Sequence, residues 1–198
     1  MRHALIYLLL MIGLSGCSTV APPAAPPVKQ LTWQERQAQL SRLLVWHLNG
    51  KIAVQTAQNS GSATIDWTQN KNRFNVSLLG PLGTNGLKLT GAPGKVTMET
   101  SDGKHTAADS AETLLAKGWG FHLPVSYLQY WVRGLPVPGI PAKPTLDQYQ
   151  RLTTLTQAGW QVQYQSYTTL GELDLPSRIT IFSAALKTKL VIYDWKVS

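Results

Sequence analysis

A chain of 198 residues is long enough for one domain with a real core behind short N-terminal processing segments. Its 18 Lys and Arg outnumber 10 Asp and Glu, giving a net charge of +8. The basic residues are scattered, with no run that would track a nucleic-acid backbone, so nucleic acid is not an expected partner; a weak attraction to anionic headgroups fits the charge.

In chain order, Arg2 and His3 precede an apolar run over residues 4–14, which ends at Leu14-Ser15-Gly16-Cys17. A short basic segment, a brief apolar core and small residues at a cleavage site compose a secretory signal. The apolar run is too short to span a bilayer, which takes about 20 residues. Cys17 is the only cysteine, so no intramolecular disulfide can form. The four residues resemble the bacterial lipobox, in which the cysteine is diacylated, cleavage exposes its amine, and the amine is acylated in turn. Residues 1–16 are therefore expected to be a removable signal and Cys17 the lipidation site. Ser18 stands where an aspartate would resemble an inner-membrane retention signal, so the expected destination is the outer membrane of a Gram-negative cell. Residues 17–30 hold Ala21-Pro22-Pro23-Ala24-Ala25-Pro26-Pro27, a semi-rigid, extended spacer between anchor and body.

Residues 31–198 read as a single domain. Thr32 and Glu35 have capping-box spacing, and Trp33, Leu40, Leu43 and Leu44 can share one face of the helix they open. Strand patterning follows. Trp46, Leu48, Ile52 and Val54 alternate with polar or small residues, as do Ala63, Ile65 and Trp67, then Phe74, Val76 and Leu78, then Leu87 and Leu89, then Val96 and Met98. Asn70-Lys71-Asn72, Ala92-Pro93-Gly94 and Ser101-Asp102-Gly103 supply turns, which makes an antiparallel meander. A second helix is expected from Thr106 or Asp109 through Leu114 and Leu115, closed by Gly118. Pro124 suits the first turn of a third, through Leu128, Trp131 and Val132 to Gly134. Residues 139–144 read as a connector, and strands resume over 149–156, 160–167, 178–182 and 187–197. A helical pair between two strand groups gives an α+β chain, mainly antiparallel β, with one curved sheet and helices packed over or inside it.

Several landmarks recur here in a telling order: residues 74–89 with Gly80-Pro81-Leu82-Gly83, then Trp131-Val132-Arg133-Gly134-Leu135-Pro136, Asp147-Gln148-Tyr149, and Gly159-Trp160-Gln161-Val162. Together they resemble the LolB family of outer-membrane lipoprotein receptors, over essentially the whole mature chain. The resemblance implies an incomplete, open β-barrel with a helical lid, a lipoprotein-carrier-like fold. It further implies that acylated lipoprotein cargo is accepted from a LolA-like periplasmic carrier and released into outer-membrane lipids. Pro81-Leu82-Gly83 would be the membrane-insertion loop. From the residues themselves, Pro81 and three glycines mark 79–86 as a loop, and an apolar Leu82 at its tip is unusual. One departure is Gly80, where family members often carry asparagine, a change that bears on the loop's stiffness.

An acyl chain in water costs about 0.8 kcal/mol per CH₂, on the order of 10 kcal/mol for a long chain, so such cargo needs an apolar container. Trp46, Trp67 and Trp160, with Ile52, Ile65, Phe74, Leu89, Met98 and Ile181, are the residues expected to line it. Aromatics on apolar faces serve equally as plain core, which leaves a competing reading: a membrane-anchored structural or envelope-binding module with a packed barrel. Enzymatic readings find no support. His3, His47, His105 and His122 lack metal-ligand spacing, Gly94-Lys95 lacks the rest of a phosphate loop, and no Gly-x-Ser-x-Gly elbow occurs. Asp66, Glu99, Asp109, Glu112, Glu172 and Asp174 form no evident acid–base pair. No catalytic residue, metal or cofactor is expected.

Overall fold

The computed structural model describes residues 31–83, 86–119 and 122–198. The expected signal, Cys17 and the proline spacer lie outside the described residues. Helix α1 (Trp33–Ser41) leads into a meander of β1 (Val45–Gln55), β2 (Ser60–Asn70), β3 (Arg73–Leu79), β4 (Leu87–Ala92), β5 (Lys95–Thr100) and β6 (His105–Ala108). Helices α2 (Ala111–Trp119) and α3 (Val125–Trp131) follow. The chain returns as β7 (Ala142–Leu146), β8 (Leu152–Gln157), β9 (Trp160–Leu170), β10 (Leu173–Phe182) and β11 (Lys187–Val197).

These strands make one 11-stranded sheet in the order β6-β5-β4-β3-β2-β1-β11-β10-β9-β8-β7. Each pair in that order joins neighbours in sequence except the central one, where β1 meets β11. The two edges, β6 and β7, do not pair, so the barrel is open, and in sequence they are separated by α2 and α3 alone. The helical segment must therefore cross from one edge of the sheet to the other. It does so over the apolar face, where Leu114, Leu115, Leu128 and Trp131 join the buried core of the strands. Strand alternation supplies that face: Trp46, Leu48 and Ile52 of β1, Ile65 and Trp67 of β2, Val76 and Leu78 of β3, and Leu87 and Leu89 of β4 are buried.

Local signals decide where elements stop. The capping box at α1 is complete, with the Thr32 side chain accepting from the Glu35 N–H and the Glu35 carboxylate accepting from the Thr32 N–H. The helix is shorter than the apolar spacing suggested. It caps at Arg42, leaving Leu43 buried and Leu44 half exposed beyond it. Thr106 starts no helix, because residues 105–108 pair with β5 as an edge strand. Ser110 rather than Asp109 caps α2, its Oγ accepting the Thr113 N–H at 3.2 Å, and the helix runs past Gly118 to Trp119. Pro124 sits at the cap of α3 rather than inside its first turn.

Residues 142–144, expected as part of a connector, belong to β7, which pairs with β8 over residues 142–146; Pro144 is tolerated because this is an edge. Residues 147–151 turn instead of extending. The Asp147 carboxylate accepts the N–H groups of Tyr149 and Arg151 at 2.8 and 2.9 Å, and Gln150 takes a left-handed φ of 59°. The later strands are longer than the alternation indicated, with β9 reaching Leu170 and β10 starting at Leu173. An irregular register at Pro176–Arg178 interrupts the periodicity that would have revealed them.

The β1–β11 pairing bends sharply at Gly50. Asn49 faces Asp194 but Gly50 faces Ile192, so Tyr193 is an extra, bulged residue. A Cβ on Gly50 would lie 2.1 Å from the Val191 carbonyl oxygen and 3.0 Å from the Ile192 Cα. No rotamer relieves a clash with backbone. Gly50→Ala is expected to lower unfolding free energy by about 3 kcal/mol or more, a backbone-strain effect. Gly61→Ala, whose Cβ would meet nothing within 4 Å, should stay within about 0.5 kcal/mol of the parent. Urea denaturation of both variants checks the contrast; equal stability would remove the close approach at Gly50 as a constraint on the sheet.

Candidate functional site

Alternation along β1 to β4 points Ile52, Val54, Ala63, Ile65, Trp67, Val76, Leu78 and Leu89 to one side, and the helical segment sets Leu115, Leu123, Val125 and Leu128 opposite them. Between the two lies an apolar concavity of about 690 Å³, within the range of about 300–1,000 Å³ typical of ligand sites. Its mouth is formed by the β1–β2 hairpin, with Thr56, Gln58 and Asn59, and by Gly80 and Pro81 after β3. At depth it meets Trp67. That indole is fixed by Nε1 donating to Gln69 Oε1 at 3.1 Å. Behind it, Trp46 packs on Trp67 with ring centroids 5.1 Å apart and on Trp195 at 5.5 Å. Three tryptophans thus close the floor.

The helical side is bolted at one end. Gln157, fully buried, uses its whole amide: Nε2 donates to the carbonyls of Val137 and Ile140, both at 2.9 Å, while Oε1 accepts from the Val137 N–H at 2.9 Å and the Trp131 indole at 3.1 Å. The Tyr164 hydroxyl donates to the Trp131 carbonyl at 3.0 Å. Burial pushes this phenol well above its ordinary pKa, which keeps it a donor. Arg133 then ties the end of α3 to α1. Its Nη1 donates to the carbonyls of Leu40 (3.3 Å) and Leu43 (2.7 Å), and its Nε to that of Gln129 (2.8 Å). Burial lowers the guanidinium's pKa, yet it faces the carbonyl-rich end of α1, which favours a cation. On α1 itself, Arg36 lies 3.2 Å from the Asp174 carboxylate and donates to the Tyr149 carbonyl at 3.1 Å. The α1 helix therefore plugs the end of the sheet away from the mouth.

Of the residues expected to line the cavity, Ile52, Ile65, Trp67 and Leu89 do so. The other five are placed elsewhere. Trp46 stands behind Trp67. Phe74 lies over Gly91 and borders a separate concavity of about 250 Å³ that shares only Trp67 and Val125 with the large one. Met98 is buried on β5 opposite Leu89. Trp160 packs on Trp131 at 6.2 Å, and Ile181 is buried in β10. The reason is common to the last two. The half of the sheet carrying β8 to β10 is filled by Trp131 and Tyr164, so it is solid core, and the open space belongs to β1–β4. The helical wall was missed as lining, although Leu115 and Leu128 were recognised as apolar helix positions. Pro81 borders the mouth and Leu82 beyond it is fully exposed. The turn is closed by the Gly83 N–H donating to the Gly80 carbonyl at 3.1 Å, with Leu82 at φ 59° and Gly83 at φ 75°.

No three His, Cys, Asp or Glu side chains gather as a metal site among the described residues. His47 instead pairs with Asp66 across β1 and β2 at 2.8 Å.

A family model described as "Outer membrane lipoprotein LolB" matches residues 45–195. The chain belongs to the LolB family. A relative named outer-membrane lipoprotein LolB in Pseudomonas savastanoi pv. phaseolicola is 39% identical over 99% of this chain and 96% of its own length. Another of that name, in Nitrosococcus oceani, is 38% identical over 97% of this chain and 96% of its own. Among solved structures, a LolA superfamily protein from Nitrosomonas europaea superposes with a TM-score of 0.53 at 9% identity, covering 85% of this chain and 94% of that one. A DUF1329 family protein from Desulfovibrio piger gives 0.58 at 3% identity, covering 84% and 90%. These two likenesses are of fold: a mainly antiparallel, open sheet with helices on its inner side.

Arg133 is the residue whose removal should loosen the helical wall from the plug. Arg133→Met keeps the apolar stem but takes the short Arg133 hydrogen bond from the Leu43 carbonyl and leaves the Leu40 carbonyl with the Leu43 N–H alone, at about 1–3 kcal/mol for a buried group left unpaired, partly offset by no longer burying a cation. A net loss of about 2 kcal/mol is expected in chemical denaturation. A variant as stable as the parent would mean that water or backbone satisfies those carbonyls.

Proposed function

We propose that this chain is a lipid-anchored receptor on the periplasmic face of the outer membrane, which takes acylated lipoproteins from a LolA-like soluble carrier and releases them into the bilayer. One observation carries the reading in a chain of this family. The apolar concavity opens at the same end of the sheet as Leu82, the most exposed large apolar side chain among the described residues. A container and an apolar tip at one mouth suit a molecule that hands lipid to a membrane. A fully packed barrel, the competing expectation, would leave no such space.

The energetics need no chemistry. Transfer runs downhill if the carrier binds cargo more weakly than the receptor and the receptor more weakly than the bilayer, each tenfold step being about 1.4 kcal/mol. Cys17 would supply attachment through its lipid, with the proline-rich spacer giving reach. The Leu82 side chain then adds about 1.5–3 kcal/mol when it enters an apolar phase, too little to anchor the chain but enough to orient the mouth. Its left-handed backbone costs about 1–2 kcal/mol that glycine would avoid, so stability alone does not account for leucine at this position.

Two substitutions separate container from tip. Ile65→Asp places a carboxylate on the cavity wall, at several kcal/mol when lipid covers it. It should weaken binding of a fluorescent long-chain fatty acid while circular dichroism stays close to the parent. Collapse of the fold instead would make Ile65 ordinary core. Leu82→Glu changes a fully exposed side chain, so stability should shift by no more than about 0.5 kcal/mol. Cargo uptake from the carrier should persist while delivery into liposomes drops sharply. Undiminished delivery by the Glu variant sinks the insertion role.

A further inference from the structure

We propose that the outer face of the sheet beside the mouth binds the phosphodiester headgroups of anionic phospholipids in the membrane that the mouth addresses. The inference rests on the reading that this end of the molecule faces a bilayer.

Strand register brings the cations together. On the face opposite the cavity, Ala53 of β1 lies between Lys189 of β11 and Ser62 of β2, and Gln55 lies between Lys187 and Ser60. The small side chains of Ala53, Ser60 and Ser62 leave a hollow of about 380 Å³, bordered by Lys187 and Lys189. Lys187 is steadied by the Phe182 ring, its ammonium 5.5 Å from the centroid. Lys51, exposed on the same face, lies opposite Val191, which in turn lies opposite the exposed Arg178 of β10. None of these four cations makes an ion pair among the described residues. The acids of the neighbouring ladder, Asp66 and Asp194, both flank Asn49 further from the mouth, and Asp66 is engaged with His47.

The same register fixes where the patch sits. Lys51 pairs with Thr64, and Thr64 with Leu79, the last residue of β3. The Gly80–Gly83 turn carrying Leu82 thus leaves the sheet at the level of Lys51, with Lys189 and Lys187 nearer the strand ends on the same side. A bilayer that receives Leu82 lies next to both lysines. Cations flanking an exposed apolar side chain form a peripheral membrane contact. A hollow of this size with small polar walls accommodates a headgroup, whereas an acidic protein surface would need breadth rather than depth.

The test uses the mature, lipidated chain reconstituted in vesicles of phosphatidylcholine alone or with added phosphatidylglycerol, reading the rate at which acylated cargo passes from its carrier into the vesicles. A lysine near an anionic surface is worth about fivefold in affinity, so two should favour the anionic vesicles roughly tenfold or more. Lys187→Gln with Lys189→Gln should reduce that preference to under about twofold while leaving the phosphatidylcholine rate unchanged, and high salt should do the same to the parent. A control pair at the opposite end of the sheet, Lys95→Gln at the β4–β5 turn with Lys196→Gln opposite His47, should keep the full preference. Loss in the control pair as well would mean diffuse net charge and overturn the site. Retention of the preference by the Lys187/Lys189 variant would overturn it too. Equal slowing into both vesicle types would assign the patch to the carrier protein instead. Failure of the parent to deliver into phosphatidylcholine vesicles would reject the receptor function itself, a result distinct from any of these.

Discussion

The pairing of β1 with β11 is the constraint from which the rest of the architecture follows. It joins the two ends of the domain at the middle of the sheet, so the edges fall at β6 and β7, halfway along the chain. Two edge strands adjacent in sequence but at opposite ends of the strand order require a connecting segment that spans the inner face. That segment is apolar on the side it buries, and it becomes a wall. The bulge at Tyr193 and the close approach at Gly50 give this central pair the bend that turns a sheet into a cup.

The cup is divided unequally. Around β8 to β10, Trp131, Tyr164 and Gln157 fill the interior and satisfy one another's polar groups, which makes that half rigid. Around β1 to β4 the wall above Trp67 is mainly aliphatic, and there a gap persists. A packed half and an open half in one sheet allow the domain to keep a stable core while holding space for a guest. The division also explains why tryptophans, attractive as lipid contacts because of their size, mostly serve the solid half or the floor. Large side chains fill; medium and small ones leave room.

How much of this was legible in the residues depends on the range of the interaction. The capping box at Thr32 and Glu35, the alternation through β1 to β5 and the antiparallel character are local, and all read correctly from sequence. The edge strand at 142–146 was not readable, since a strand with Pro144 and little alternation is recognisable only by its partner. The helix cap at Ser110 was obscured by two stronger-looking neighbours, Thr106 and Asp109. For the site, Ile52, Ile65, Trp67 and Leu89 were legible because the face of a strand follows from its parity. Trp46 and Phe74 share that parity yet sit at other depths, and depth along a curved sheet is a long-range property. Leu82 stood out because loop chemistry and apolar character conflict there. Arg133 stood out only within a family landmark and Gln157 not at all, because the groups they anchor, the Leu40 and Leu43 carbonyls for one and Trp131, Val137 and Ile140 for the other, are distant in sequence.

The central β1–β11 pair has a further meaning for how the domain comes into being. A chain that emerges N-terminus first exposes β1 long before β11 exists, and the pairing spans almost the full length of the domain, from Trp46 to Val197. Contacts of such sequence separation make folding slow. Until the last strand arrives, the β1–β6 half is a sheet with β1 as an open, apolar edge, the kind of surface that seeks any strand available. Synthesis and export thus leave a window in which the molecule is a hazard to its neighbours, and β11 closes it.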